Sequence, residues 1–355
     1  MADKQISALT STRGFAALLI VIFHFGLERF PFVHMQQFFA KGNMGVSYFF
    51  VLSGFIMCLV YNSKHVQFGD YMKRRIARIA PVYILAIILS QIPTIWQHYA
   101  GNVAFKQNYF KELLLNGLFL QAYIPGYALS INSPGWSLSV EMFFYLLFPL
   151  LILLYQKNPK GFVWLSAIVF AVSQAAHLYF MSKEIGKPFD VNRHELIYYF
   201  PLNHLNEFMA GIAGYYFYDR WKHAKWIRQI PSITLIVLMV ILVIELPYSL
   251  HNGLLAPLYL LFIIVVAVQE PVFLRWKPLV YLGEISYGVY MLQMPMYYYM
   301  AKLNFHVIKL TNMDWFFLEY VIGLLLAAAI SYHFIENPLR RLINRVGVKK
   351  PVKPL

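Results

Sequence analysis

The chain has 355 residues, of which 59% are hydrophobic and only 13% charged, against about 25% charged in a soluble domain. This excludes a soluble fold and, because apolar content is high, disorder; the one cysteine, Cys58, excludes an internal disulfide scaffold. A mean hydropathy of +0.55 leaves a polytopic membrane protein, in which the net charge of +14 is a record of topology before it is a nucleic-acid signal.

A spanning helix needs roughly 20 mostly apolar residues, and lipid accepts only helices or closed barrels. The apolar stretches are long and continuous, so the sequence predicts an all-α helix bundle. In chain order the stretches are 11–27, 43–61, 79–97, 133–155, 161–181, 196–218, 231–246, 253–269, 279–301 and 315–335. A further stretch, 110–123, is short and carries Lys111, Glu112, Asn116 and Gln121. Without a crossing there, 21 of the 30 Lys and Arg fall on the cytoplasmic side and 9 outside. With it, the Arg220–Arg228 cluster and the basic C-terminal end would face outwards, against the positive-inside rule. The expectation is ten spans with both termini cytoplasmic, and 110–123 as an interfacial or re-entrant helix on the outer side. The first apolar run lacks a small-x-small cleavage site, so it reads as a span rather than a signal peptide. Residues 1–345 form one membrane domain and 346–355 a basic tail.

Few ionisable groups lie within these stretches, and each is costly in lipid. Arg13 and His24 share the first helix. They are 11 residues apart, about three turns, so they point to one side with about 16 Å of rise between them. His24 is either a reactive group or a neutral core histidine bonded to a backbone carbonyl. In the second span, Gly45, Ser47, Ser53 and Gly54 permit close helix approach, and packing is the ordinary role for Ser53. Arg74 or Arg75 with Arg78 makes an i, i+3 or i+4 pair at the start of the third span, suited to phosphate or to anionic lipid. Glu141 follows Trp136-Ser137-Leu138-Ser139-Val140; eight residues from the outer end of its helix is about 12 Å of depth, which puts it level with His24. A carboxylate there either orients the imidazole or holds two spans together. His204, Asn206 and Glu207 lie in the outer half of the sixth span. Metal-ligand spacing, a phosphate-binding glycine loop and a Gly-x-Ser-x-Gly elbow are all missing.

Six segments in order resemble the acyltransferase-3 family of integral membrane O-acyltransferases. They are Arg13 with His24; Phe49-Phe50-Val51-Leu52-Ser53-Gly54-Phe55; Arg75-x-x-Arg78 before Pro81-x-Tyr83; Trp136-Ser137-Leu138-Ser139-Val140-Glu141; Ser286-Tyr287-x-x-Tyr290; and Glu336-x-Pro338-x-Arg340. The resemblance implies transfer of an acyl group, usually acetyl, from coenzyme A on the cytoplasmic side to a sugar hydroxyl of a lipid-linked or surface glycan. It implies Arg13 and His24 as the essential pair and Arg75 with Arg78 as a second arginine motif. Family members often carry histidine where this chain has Gln293. No SGNH hydrolase-like domain follows the last span, so a stand-alone member is expected.

The resulting expectation is specific. Arg13, Arg74, Arg75 and Arg78 hold the phosphates of acetyl-CoA, the acyl donor and co-substrate. The thioester reaches up to His24, which Glu141 orients as general base on the acceptor hydroxyl; a transient acyl-histidine is the variant. Ser53, Trp136, Ser139, Glu207 and Tyr287 face the substrate. No metal and no nucleic acid take part, and the location is a bacterial cytoplasmic (inner) membrane. The rival is a proton-coupled transporter or glycan exporter using His24, Glu141 and Glu207 as a relay, against which no paired, broken helices occur in corresponding halves.

Overall fold

The computed structural model describes residues 6–101, 104–246 and 252–345. Among them all regular structure is helical. The principal helices are α1 (Ser7–Phe25), α2 (Met44–Tyr61), α3 (Phe68–Tyr99), α4 (Tyr109–Gly117), α5 (Trp136–Lys157), α6 (Pro159–Glu184), α7 (Val191–Tyr198), α8 (Leu205–Trp221), α9 (Ser232–Glu245), α10 (Ala256–Gln269), α11 (Lys277–Leu303), α12 (Met313–Ser331) and α13 (Asn337–Arg345). Each of the ten apolar stretches holds one of them. Six helices are long and apolar enough to cross a membrane: Ser7–Phe25, Met44–Tyr61, Phe68–Tyr99, Ser133–Lys157, Pro159–Glu184 and Met313–Arg345. The last joins α12 to α13 through a π-turn, Tyr332–Glu336. Helices α9 and α10 are apolar but shorter, at 14 residues each. Residues 1–5 and the tail 346–355 lie outside the described residues.

Small residues set the closest helix pairs, because helices in lipid associate through packing contact rather than water expulsion. A Cβ on Gly54 of α2 would collide with the Phe208 carbonyl of α8, and one on Gly211 of α8 with the Val51 carbonyl of α2. Phe50, Phe144 and Phe208 close over this contact, with Phe144 and Phe208 stacked at 4.5 Å. Between α1 and α11, a Cβ on Gly283 would strike the Thr10 carbonyl, and Gly14 meets Leu282 and Gly283. Further along the same pair His24 meets Gln293. Both helices advance about ten residues between these contacts, so they run parallel. The polar start of α1 is tied down on two sides: Ser11 Oγ donates to the Leu274 carbonyl at 2.5 Å, and the Thr12 and Tyr48 hydroxyls meet at 2.5 Å.

The segment after α4 folds into the bundle. Asn116, Gln121 and Asn132 are fully buried. Gln121 Nε2 donates to Tyr83 Oη at 2.9 Å and to the Gly135 carbonyl at 2.7 Å; Tyr83 Oη donates to Asn116 Oδ1 at 3.1 Å. Asn132 Nδ2 donates to the Met291 carbonyl of α11 at 3.1 Å. These buried amides tie the segment to α3, α11 and the start of α5, since polar groups inside a membrane protein must find partners within it. From outside, the buried carboxylate of Glu195 on α7 accepts from Gly126 N at 2.7 Å and Ala128 N at 3.0 Å. Helix α5 therefore starts within the protein, at buried Pro134, Gly135 and Trp136, and not at its outer rim.

Candidate active site

His24 is exposed near the C-terminal end of α1. Its Nδ1 lies 3.0 Å from Gln293 Oε1 and 3.0 Å from the Ile20 carbonyl. A carbonyl can only accept, so Nδ1 carries the proton in the neutral ring. Nε2 then presents its lone pair on the open edge. Phe23 packs edge-on at 4.9 Å and Phe25 at 5.9 Å. Gln293 itself is fully buried. Such an imidazole can take a proton from a hydroxyl placed at Nε2, or attack an acyl carbonyl there.

Glu141 is not at His24, which corrects the expectation that it orients the ring. Its Oε2 accepts from Tyr145 Oη at 2.8 Å, and the charges acting on it are Arg78, Arg13 and Arg75. The depth reckoning failed because α5 begins inside the bundle, so eight residues from its start carry Glu141 further towards Arg13's end. It lies near Tyr287, whose hydroxyl donates to the Ile79 carbonyl at 2.6 Å. Tyr287 and Gln293 are six residues apart on α11, about 9 Å.

The second centre is therefore a charged cluster built from five helical segments. Arg13, Arg75, Arg78 and Glu141 are half-buried. Glu336, on the π-turn, is buried and faces the charges of Arg78, Arg340 and Arg13. Arg75 packs its guanidinium over Tyr61, Tyr71 and Tyr145 at 5.3, 5.5 and 5.8 Å, a cation–π setting that suits Arg. Its Nε has no hydrogen-bond partner. Four guanidiniums facing two carboxylates leave the cluster net positive, fit for phosphate. Glu336 and Arg340, which the sequence offered only as one segment of the resemblance, join the expected arginines here; a π-turn often marks such a place.

The other expected residues divide. Arg74 is exposed, about 100° round α3 from Arg75. Ser53 is half-buried, with Oγ 3.8 Å from Met57 Sδ; it lies five residues beyond Tyr48, the partner of Thr12, and so at Arg13's end. Trp136 is buried among Phe50, Tyr199 and His204. Ser139 is fully buried and its Oγ accepts from Ala122 N at 3.5 Å, bracing the inward segment. Glu207 is fully buried and binds His204 Nδ1 at 2.8 Å, while His204 Nε2 meets the Tyr198 carbonyl at 2.9 Å. Thus Trp136, Ser139 and Glu207 pack the core where substrate contact was expected. His24, Glu141 and Glu207 each have separate partners and do not form a relay.

A family model described as an acyltransferase domain matches residues 6–335. O-acetyltransferase OatA of Staphylococcus aureus (strain NCTC 8325 / PS 47) is 24% identical over 95% of this chain and 58% of its own length. YrhL of Bacillus subtilis (strain 168), whose name assigns it to peptidoglycan O-acetylation, is 24% identical over 95% of this chain and 55% of its own. Acyltransferase MdmB of Streptomyces mycarofaciens is 27% identical over 59% of this chain and 56% of its own. The chain thus spans little more than half the length of these relatives. No solved structure matches it.

Proposed function

We propose that this chain, which belongs to the acyltransferase-3 family, moves an acetyl group from acetyl-CoA at the cytoplasmic face to a sugar hydroxyl of a lipid-linked or surface glycan. The observation that carries the reading is the pairing on one helix of an open imidazole Nε2 at His24 with Arg13 in the net-positive cluster. The two are separated by about 16 Å, a length for a pantetheine arm. Arg13, Arg75, Arg78 and Arg340 hold the phosphates, and Glu141 and Glu336 keep these guanidiniums in place.

In this mechanism the acceptor O–H gives its proton to His24 Nε2 as its oxygen attacks the thioester carbonyl. The tetrahedral carbon then expels sulfur. The C–S bond breaks, the sulfur takes the proton from the imidazolium, and an O-acetyl ester and free coenzyme A leave. The relatives' names support O-acetylation, and YrhL's makes peptidoglycan one glycan to assay beside O-antigen and exopolysaccharide. The membrane is the bacterial cytoplasmic one, crossed ten times with both ends inside; the parallel run of α1 and α11 supports this count.

His24→Ala and His24→Gln are expected to remove alkali-labile acetate from cell-surface glycans, read by mass spectrometry, while immunoblots show unchanged protein. Acetate at the wild-type level in either variant would overturn the assignment.

A further inference from the structure

We infer that Gln293 is the positioning residue for His24, fixing which ring nitrogen reacts; this rests on the reading of His24 as general base. His24 Nδ1 faces two oxygens at 3.0 Å. The Ile20 carbonyl lies on His24's own helix, where it also accepts the His24 backbone N–H, so Gln293 Oε1 is the acceptor that a second helix brings to Nδ1. Gln293 is itself held at both ends. Its Nε2 donates to the Tyr290 carbonyl at 2.8 Å, which fixes Oε1 toward His24. Its own carbonyl accepts from Tyr320 Oη at 3.1 Å. Tyr290 is anchored in turn, its hydroxyl reaching Ser137 Oγ at 3.0 Å. Helices α1, α5, α11 and α12 thus meet in one hydrogen-bonded chain that ends on Nδ1.

Nδ1 is thereby taken out of the chemistry. It holds its proton, cannot accept one from the acceptor hydroxyl, and cannot be acylated. Nε2 is left as the sole reacting atom, aimed at the open edge of the ring. The orienting partner is a neutral amide and not a carboxylate, so no charge is buried beside the neutral imidazole, where an unmatched one is costly in lipid. Gln293→Leu keeps the volume and removes the acceptor oxygen. Gln293→His keeps, in a neutral side chain, one acceptor nitrogen for Nδ1 and one N–H for the Tyr290 carbonyl.

The test uses washed membranes carrying the full chain, radiolabelled acetyl-CoA as the probe and endogenous glycan as acceptor, with alkali-labile label read per unit of immunoblotted protein. Gln293→Leu is expected to lower maximal incorporation by roughly 100-fold, the low end of what a positioned base contributes, with the KM for acetyl-CoA unchanged. Gln293→His is expected to recover most of it. All variants should elute from a sizing column in detergent as the wild type does. Wild-type incorporation by Gln293→Leu, with His24→Ala inactive, would remove Gln293 from the mechanism. Equal loss in the Leu and His variants would do the same, making it a packing residue. Incorporation by His24→Ala would overturn the general-base reading, and this inference with it.

Discussion

Glu141 lies among arginines, and its partners determine what its loss should do. Tyr145 donates to it, and Arg13, Arg75 and Arg78 act on it. A carboxylate in that position orients guanidiniums for a phosphate and takes no proton from the acceptor. Glu141→Gln is therefore expected to raise the KM for acetyl-CoA several-fold while lowering maximal incorporation far less than His24→Ala does, since loss of an orienting partner costs binding geometry first. A variant that stops turnover with KM unchanged would return Glu141 to His24. Arg75→Lys should likewise raise KM, because an ammonium cannot lie flat across Tyr61, Tyr71 and Tyr145 as the guanidinium does. Arg13 and His24 stood out in the sequence because an ionisable group in an apolar helix is costly, with the carbonyl-bonded reading of His24 open beside the reactive one. Gln293 was marked only by the resemblance, as a position where the family often has histidine, since an amide within Met291–Pro295 carries no charge to suggest a role. Its role appears only when α11 is laid against α1.

Helix pairing transmits small steric changes over distance. Gly283 lies against the Thr10 carbonyl, ten residues from Gln293, about 15 Å along α11. A methyl group there must push α11 off α1 along the whole parallel contact, and with it Gln293 off His24. Gly283→Ala is expected to lose stability by about 1–3 kcal/mol and to lower incorporation, although it touches neither centre. Gly69→Ala, with open space around it, is the matched control and should change neither. A Gly283→Ala protein with wild-type melting temperature and incorporation would show that the register of these helices does not matter to the site. The ten apolar stretches were readable because lipid demands long hydrophobic runs, and each proved to hold a helix. For 110–123 the sequence offered an interfacial or re-entrant helix; the burial of 124–135 was not readable, because Asn132 and its neighbours read along the chain as a polar outer loop, whereas Asn132 is fully buried and donates to the Met291 carbonyl. That misreading carried Glu141 to the wrong depth.

Direction ties the bundle to the membrane. Helices α1 and α11 run parallel, so an odd number of crossings must separate them. The seven apolar helices α2, α3, α5, α6, α8, α9 and α10 meet that condition, and a crossing at α4 would break it. The two topologies differ in where Lys187 and Arg341 lie, both exposed. Cys58 is buried and is the chain's one cysteine, so a Cys58→Ser background leaves no competing thiol. In that background Lys106→Cys and Lys187→Cys are expected to react with a membrane-impermeant maleimide on intact cells whose outer barrier has been opened. Arg341→Cys should react only after the cytoplasmic membrane is permeabilised. An eleventh crossing at 110–123 would leave Lys106→Cys outside but exchange the other two, with Lys187→Cys protected and Arg341→Cys labelled. That exchange would also put the end of the chain beside Arg340 on the outer face, away from cytoplasmic acetyl-CoA, and the donor site proposed around Arg13, Arg75 and Arg78 would fall with the topology.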